Sequence, residues 1–102
     1  MKTKKKAKKK KTKKDILKDA NSDHYFFVND GTILKNLLDL SKQLDKMGDD
    51  VFRYHVNETK NDFATWIKNI FKEENLAKNL LKTTNKNKTQ IIILKHVISK
   101  FK

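Results

Sequence analysis

In 102 residues, 25 Lys and Arg stand against 12 Asp and Glu, for a formal net charge of +13, and 36% of the residues are hydrophobic. The chain has no cysteine, which excludes a disulfide scaffold and thiol catalysis, and its apolar content leaves room for one small core. The longest apolar run, Ile91-Ile92-Ile93-Leu94, falls far short of a membrane span. The N-terminus is all charge with no apolar stretch behind it, which does not read as a secretory signal. The expectation is an intracellular, cytoplasmic protein.

The first element in chain order is a cationic arm. Residues 1–14 hold ten lysines (Lys2, Lys4, Lys5, Lys6, Lys8, Lys9, Lys10, Lys11, Lys13 and Lys14) and no acid. Such a segment buries too little surface to offset its ordering entropy, so residues 1–14 are predicted to be disordered. Residues 15–72 are nearly balanced, with eight basic against ten acidic residues, and residues 73–102 are basic again, with seven against two. Residues 15–23 read as a frayed connector, and residues 24–102 as a single small domain.

His24-Tyr25-Phe26-Phe27-Val28 is aromatic and β-branched and is followed by Asn29-Asp30-Gly31, a short extended segment and a turn. No second strand is evident, so the segment is expected to lie on helices or pair with another chain. From Thr32, Ile33, Leu34, Leu37, Leu38, Leu40, Leu44 and Met47 recur at spacings that predict an amphipathic helix of about four turns, stopped by Gly48. Asp49-Asp50 opens a short helix over 50–56 with Val51, Phe52, His55 and Val56 inward. Residues 57–61 read as loop. Asn61 or Asp62 caps a helix that buries Phe63, Trp66, Ile67, Ile70 and Phe71. Glu73-Glu74 starts another, burying Leu76, Ala77, Leu80 and Leu81. Residues 83–89 form a polar break. Over 90–101, Ile91, Leu94, Val97, Ile98 and Phe101 keep helical spacing, although the consecutive β-branched residues also suit a strand. The fold class is therefore mainly α, a compact bundle of about five short helices with an extended entry and a disordered N-terminal arm.

Three stretches carry a resemblance: Phe26-Phe27-Val28 through Gly31 to Leu34-Lys35-Asn36-Leu37; then Phe52-Arg53-Tyr54-His55-Val56-Asn57; then Lys60-Asn61-Asp62-Phe63-Ala64-Thr65-Trp66-Ile67 with Leu76-Ala77. Together they resemble a small, mainly archaeal family known only as a domain of unknown function. The Tyr-His-Val-Asn and Asn-Asp-Phe-Ala-x-Trp blocks are the specific part, and the arm lies outside the match. Where the family often has a Gly-Asp step before the Leu-Ala helix, this chain has Lys72-Glu73, so the turn there is expected to be tighter or more helical. The resemblance implies a compact helical domain with a short extended entry, and no activity.

Charge carries the functional reading. Closely spaced lysines gain most when phosphates replace bulk counterions, giving affinity without sequence information. A second cationic surface is expected from Lys78, Lys82, Lys86 and Lys88. One arginine, Arg53, stands against 24 lysines. Since arginine is the usual bidentate reader of guanine, this favours phosphate neutralisation over base reading, though a lysine-, asparagine- and isoleucine-rich composition also follows from a low-GC genome. A helix-turn-helix with 75–82 as recognition helix, presenting Asn75, Lys78, Asn79 and Lys82, is the sequence-reading alternative.

His24, His55 and His96 lack metal spacing. His55 lies on an apolar face and reads as a core histidine needing Asn57, Asn61 or Asp62 as partner. The set Asp50, Glu58 and Lys60 matches the acid–acid–lysine pattern of metal-dependent nucleases only superficially, because its surroundings read as helix and loop. No enzyme activity, cofactor or metal is expected. The sequence points to a nucleic-acid-associated structural protein, nucleoid- or ribosome-associated, with DNA or RNA as partner. A protein-interaction or scaffold module tethered to polyanions by the arm, or a self-associating one, is the alternative.

Overall fold

The computed structural model describes residues 17–101, so the arm and its ten lysines lie outside the described residues. The extended entry is a hairpin. Strand β1 (Phe26–Phe27) pairs antiparallel with β2 (Ile33–Leu34), Phe26 opposite Leu34 and Phe27 opposite Ile33. Gly31 takes φ +96°, a conformation glycine adopts without a Cβ penalty. The Val28 N–H donates to the Thr32 carbonyl and the Gly31 N–H to the Val28 carbonyl, both at 2.8 Å. Asp30 accepts from the Thr32 N–H at 3.0 Å, and the Thr32 amide and hydroxyl hold the Asp30 carboxyl below its usual range.

This corrects the expectation of an unpaired strand followed by a helix from Thr32. Ile33 and Leu34 belong to the hairpin, and α1 (Leu37–Lys46) starts only after Asn36, whose side chain accepts from the Asp39 N–H at 2.8 Å. Asp39 in turn accepts from the Lys35 N–H at 3.0 Å. Two side-chain caps at one helix start outweigh the apolar periodicity upstream of them. Residues 17–24 are fastened to the same region. Leu17 packs against the core, the Ala20 N–H donates to the Lys35 carbonyl at 2.7 Å, and Asn36 donates to Asp19 at 2.7 Å.

Gly48 serves as N-cap of α2 (Asp49–His55). Residues read as loop then form a second small hairpin, β3 (Val56–Asn57) with β4 (Lys60–Asn61), Val56 opposite Asn61. Helix α3 (Asp62–Phe71) is capped by Asn61, which accepts from the Ala64 N–H at 2.9 Å, while its amide donates to the Leu80 carbonyl at 3.3 Å. Lys72 ends α3 in the left-handed region, φ 59° and ψ 29°. Glycine favours that conformation. The turn before α4 (Glu74–Leu80) is thus a left-handed cap rather than a more helical passage. Asn85, inside the expected polar break, caps α5 (Lys86–Ser99) by accepting from the Lys88 N–H at 2.8 Å. The last segment is therefore helix, and it starts four residues earlier than its apolar pattern.

One hydrophobic core runs through these elements. Leu37, Leu40, Phe63, Ile67, Leu76, Leu80 and Ile93 are fully buried, with Phe52 and Trp66 beside them. The Phe26 ring meets Phe63, Trp66 and His55 at centroid distances of 5.0, 5.5 and 5.1 Å, and Trp66 Nε1–H donates to the His24 carbonyl at 2.7 Å. Helix α5 turns a different face inward than expected. Thr89, Ile93 and Val97 are buried, whereas Ile91, Ile98 and Phe101 are exposed, as is Leu81. In this orientation the Gln90 amide donates to the Ser41 carbonyl at 2.9 Å and to Asp45 at 2.7 Å.

Two stability outcomes follow from this packing. Trp66→Ala empties a core position and removes the donor to His24, so denaturant unfolding should show a loss of about 3–5 kcal/mol. Lys72→Gly relieves a left-handed cap that costs an L-residue about 1–2 kcal/mol, offset in part by the freer unfolded chain. It should raise the unfolding free energy by about 0.5–1 kcal/mol, and a lower melting temperature would contradict the cap assignment.

Candidate nucleic-acid interface

The histidines show which polar groups the fold has already engaged. His55, buried at the end of α2, accepts from the Asn29 N–H through Nε2 at 2.9 Å. A ring nitrogen that accepts carries no proton, so Nδ1 bears it and donates to Asp62 Oδ2 at 3.0 Å. Of the three expected partners, Asp62 is the one used. Lys60 reaches the same carboxylate oxygen at 3.0 Å and lies 4.8 Å from the centre of the Tyr54 ring. With its Nε2 lone pair occupied by a backbone amide, His55 fastens the β1–β2 turn to the start of α3 and has no free nitrogen for proton transfer. Lys60 is directed to Asp62, not into a carboxylate set with Asp50 and Glu58.

His96 has a comparable role that sequence reading missed. Its Nε2 lies 3.0 Å from Glu73 Oε1, an ion pair if the ring is protonated, which joins α5 to the α3–α4 junction. Glu73 is buried at 8% exposure. The available signal was its place beside the buried Thr89–Ile93–Val97 row, where a polar side chain needs a partner.

The predicted lysines separate into two groups. Lys78 on α4, Lys82 just beyond it and Lys88 on α5 are exposed, and no ion pair engages them among the described residues. Lys86 differs. It is half-buried, donates to the Met47 carbonyl and lies 3.7 Å from Asp49, so it ties α5 to the α1–α2 joint. Lys95, one residue not singled out from sequence, belongs with the first group. It faces Lys82 across a cleft of about 410 Å³ between α4 and α5, lined by Asn79, Lys82, Ile92, Lys95 and His96. Seven residues separate Lys95 from Lys88, two helical turns, which was the legible signal.

The electrostatics of this side follow from chain order. No acid occurs after Glu74, and α4 and α5 pack against each other. Among the described residues, the lysines of this acid-free stretch other than Lys86 have no ion-pair partner. The ten arm lysines fall outside the described residues. Asn75, Lys78, Asn79 and Lys82 are all exposed. Arg53 lines two other clefts, of about 330 and 410 Å³, but Asp49 shares the first and Glu58 the second, so the field there is mixed. Among the described residues, no three His, Asp or Glu side chains are grouped to hold a metal ion, and no helix is long and apolar enough to cross a membrane.

Comparison of the chain with family models, curated proteins and solved structures found no match.

His55→Ala leaves the Asn29 amide without its acceptor, Asp62 with Lys60 alone, and a gap beside Phe26 and Phe63. Unfolding should become easier by about 2–4 kcal/mol, with nucleic-acid binding almost unchanged at temperatures where the domain stays folded. A stable variant that loses binding would make His55 part of the interface.

Proposed function

We propose that this chain is a nucleic-acid-associated structural protein that contacts phosphate backbones, largely without sequence specificity, through its lysine arm and the α4–α5 surface. The observation that carries the reading is the set of exposed lysines Lys78, Lys82, Lys88 and Lys95, unpaired among the described residues, on a stretch with no acid. Cations left without internal counterions gain most from a polyanion, because phosphates take the place of bulk counterions and release those condensed on the nucleic acid. Lys86 contributes to this surface mainly by holding α5 in place. Lysine ammonium groups act as point charges, so they position the protein on the backbone without reading base edges. In this reading the protein has no enzymatic role and works as a chromosomal or ribosomal component.

The salt dependence of binding to a duplex tests the division of labour. Deleting residues 2–14 should flatten the slope of log K against log salt by roughly five to nine if about six to ten arm lysines engage, at about 0.9 per phosphate. Lys82→Ala and Lys95→Ala should each lower it by about one and weaken all sequences alike. An unchanged slope on deleting the arm excludes the arm as the main site. A sharp sequence preference abolished by Asn79→Ala would replace this reading with sequence-specific readout.

A second reading, a protein-interaction module that the arm tethers to polyanions, has one observation in its favour: the apolar side chains that α5 leaves exposed.

A further inference from the structure

Helix α5 is apolar on two sides. Its inner row, Thr89, Ile93 and Val97, is buried, while Ile91, Ile98 and Phe101 remain 50%, 59% and 44% exposed and Leu94 is half-buried between them. The outer four follow a 3-4-3 spacing. The helical turn continues past Ser99, with the Lys100 N–H donating to the Val97 carbonyl at 3.1 Å and the Phe101 N–H to the Ile98 carbonyl at 2.9 Å, so Phe101 stays in line with the others. At ~100° per residue these four side chains fall within an arc of about 80°. That is the narrow seam of a helix pair rather than the broad apolar face of a helix lying in a membrane surface.

Charge selects the occupant. Lys88 and Lys95 run along one border of the stripe, exposed and unpaired among the described residues, and α5 contains no acid. A second copy of the chain packed antiparallel would set Lys95 beside Lys95. The chain's own first fourteen residues offer ten lysines and no large apolar side chain after Met1, which suits neither the stripe nor its border. On the opposite border Gln90 holds Asp45, a carboxylate that an anionic bilayer would repel.

We infer that the outer face of α5 docks an amphipathic helix of a partner protein, one with apolar residues at 3-4-3 spacing and acids along a single flank. The apolar residues interleave with Ile91, Leu94, Ile98 and Phe101, and the acids meet Lys88 and Lys95. The inference rests on the interaction-module reading; it shares Lys88 and Lys95 with the proposed phosphate surface and is distinguished from phosphate binding by the exposed isoleucines, which phosphates do not use.

The test uses the full chain and three labelled synthetic peptides, read by fluorescence anisotropy. One peptide carries leucines at 3-4-3 spacing with glutamates on one flank. A second has lysines in place of the glutamates. The third is a scramble of the first, which measures what the lysine arm retains by charge alone. The acidic peptide should bind at least tenfold more tightly than either of the others. Ile98→Asp, at an exposed position that leaves the fold intact by circular dichroism, should remove that advantage, and Lys95→Glu should shift preference toward the lysine-flanked peptide. Equal binding of the acidic peptide and its scramble, or no effect of Ile98→Asp, overturns the inference. So does a dimer in sedimentation that Ile98→Asp dissolves, which assigns the face to a second copy. Ile98-dependent binding to phosphatidylcholine–phosphatidylserine vesicles without preference for the acidic peptide overturns it in favour of a bilayer. Loss of duplex binding in the salt experiment with this peptide selectivity retained would refute the phosphate reading alone.

Discussion

His55 is the point through which the separate parts of this small protein are joined. Its ring stands between a backbone amide of the β1–β2 turn and the carboxylate that opens α3, at 2.9 and 3.0 Å, and its faces and edges meet Phe26, Tyr54 and Phe63. A two-stranded hairpin of two-residue strands is not stable by itself. Here the hairpin is held by the Asn29–His55 hydrogen bond at its turn and by Phe26 packed among the rings of α2 and α3. Trp66 extends the same fastening by donating to the His24 carbonyl. The entry segment is thereby part of the core.

Other polar side chains of the interior also join elements distant in sequence. Asn61 caps α3 with its oxygen and holds the end of α4 with its amide. Glu73 and His96 join the α3–α4 junction to α5, and Gln90 and Lys86 bind α5 to α1 and its end. These contacts engage His55, His96, Asp62 and Glu73 within the body. Lys78, Lys88 and Lys95 on α4 and α5 are left exposed, with no acid after Glu74 in the chain. Lys82 and Lys95 thus line one cleft between α4 and α5, and the proposed phosphate contact follows from that grouping.

Much of the helical framework was legible. The period of Leu37, Leu40 and Leu44, and of Phe63, Trp66 and Ile67, carries enough turns to mark α1 and α3 and their buried faces, and Asn61 is a strong cap signal. The hairpins were not legible, because two residues per strand leave no alternation to detect, and Ile33-Leu34 merges with the helical pattern that follows. The orientation of α5 was hidden for a different reason. Ile91-Ile92-Ile93-Leu94 places apolar side chains all round one helical turn, so periodicity cannot choose between faces; in the orientation adopted, Gln90 contacts α1. The same ambiguity concealed the exposed stripe. Of the candidate interface, the exposure of Lys78, Lys82 and Lys88 matches their polar helical positions, while the inward role of Lys86 depends on tertiary contact with Met47 and Asp49.

The account stands most directly on where the folded body meets phosphate. Amide chemical shifts of the full chain titrated with a short duplex locate that contact residue by residue. The account predicts changes concentrated on Lys78, Lys82, Lys88 and Lys95 and their neighbours, fading as salt rises, with His55 and Asn29 unmoved. Changes centred instead on Arg53 and Thr84, or none anywhere in residues 17–101, would contradict it.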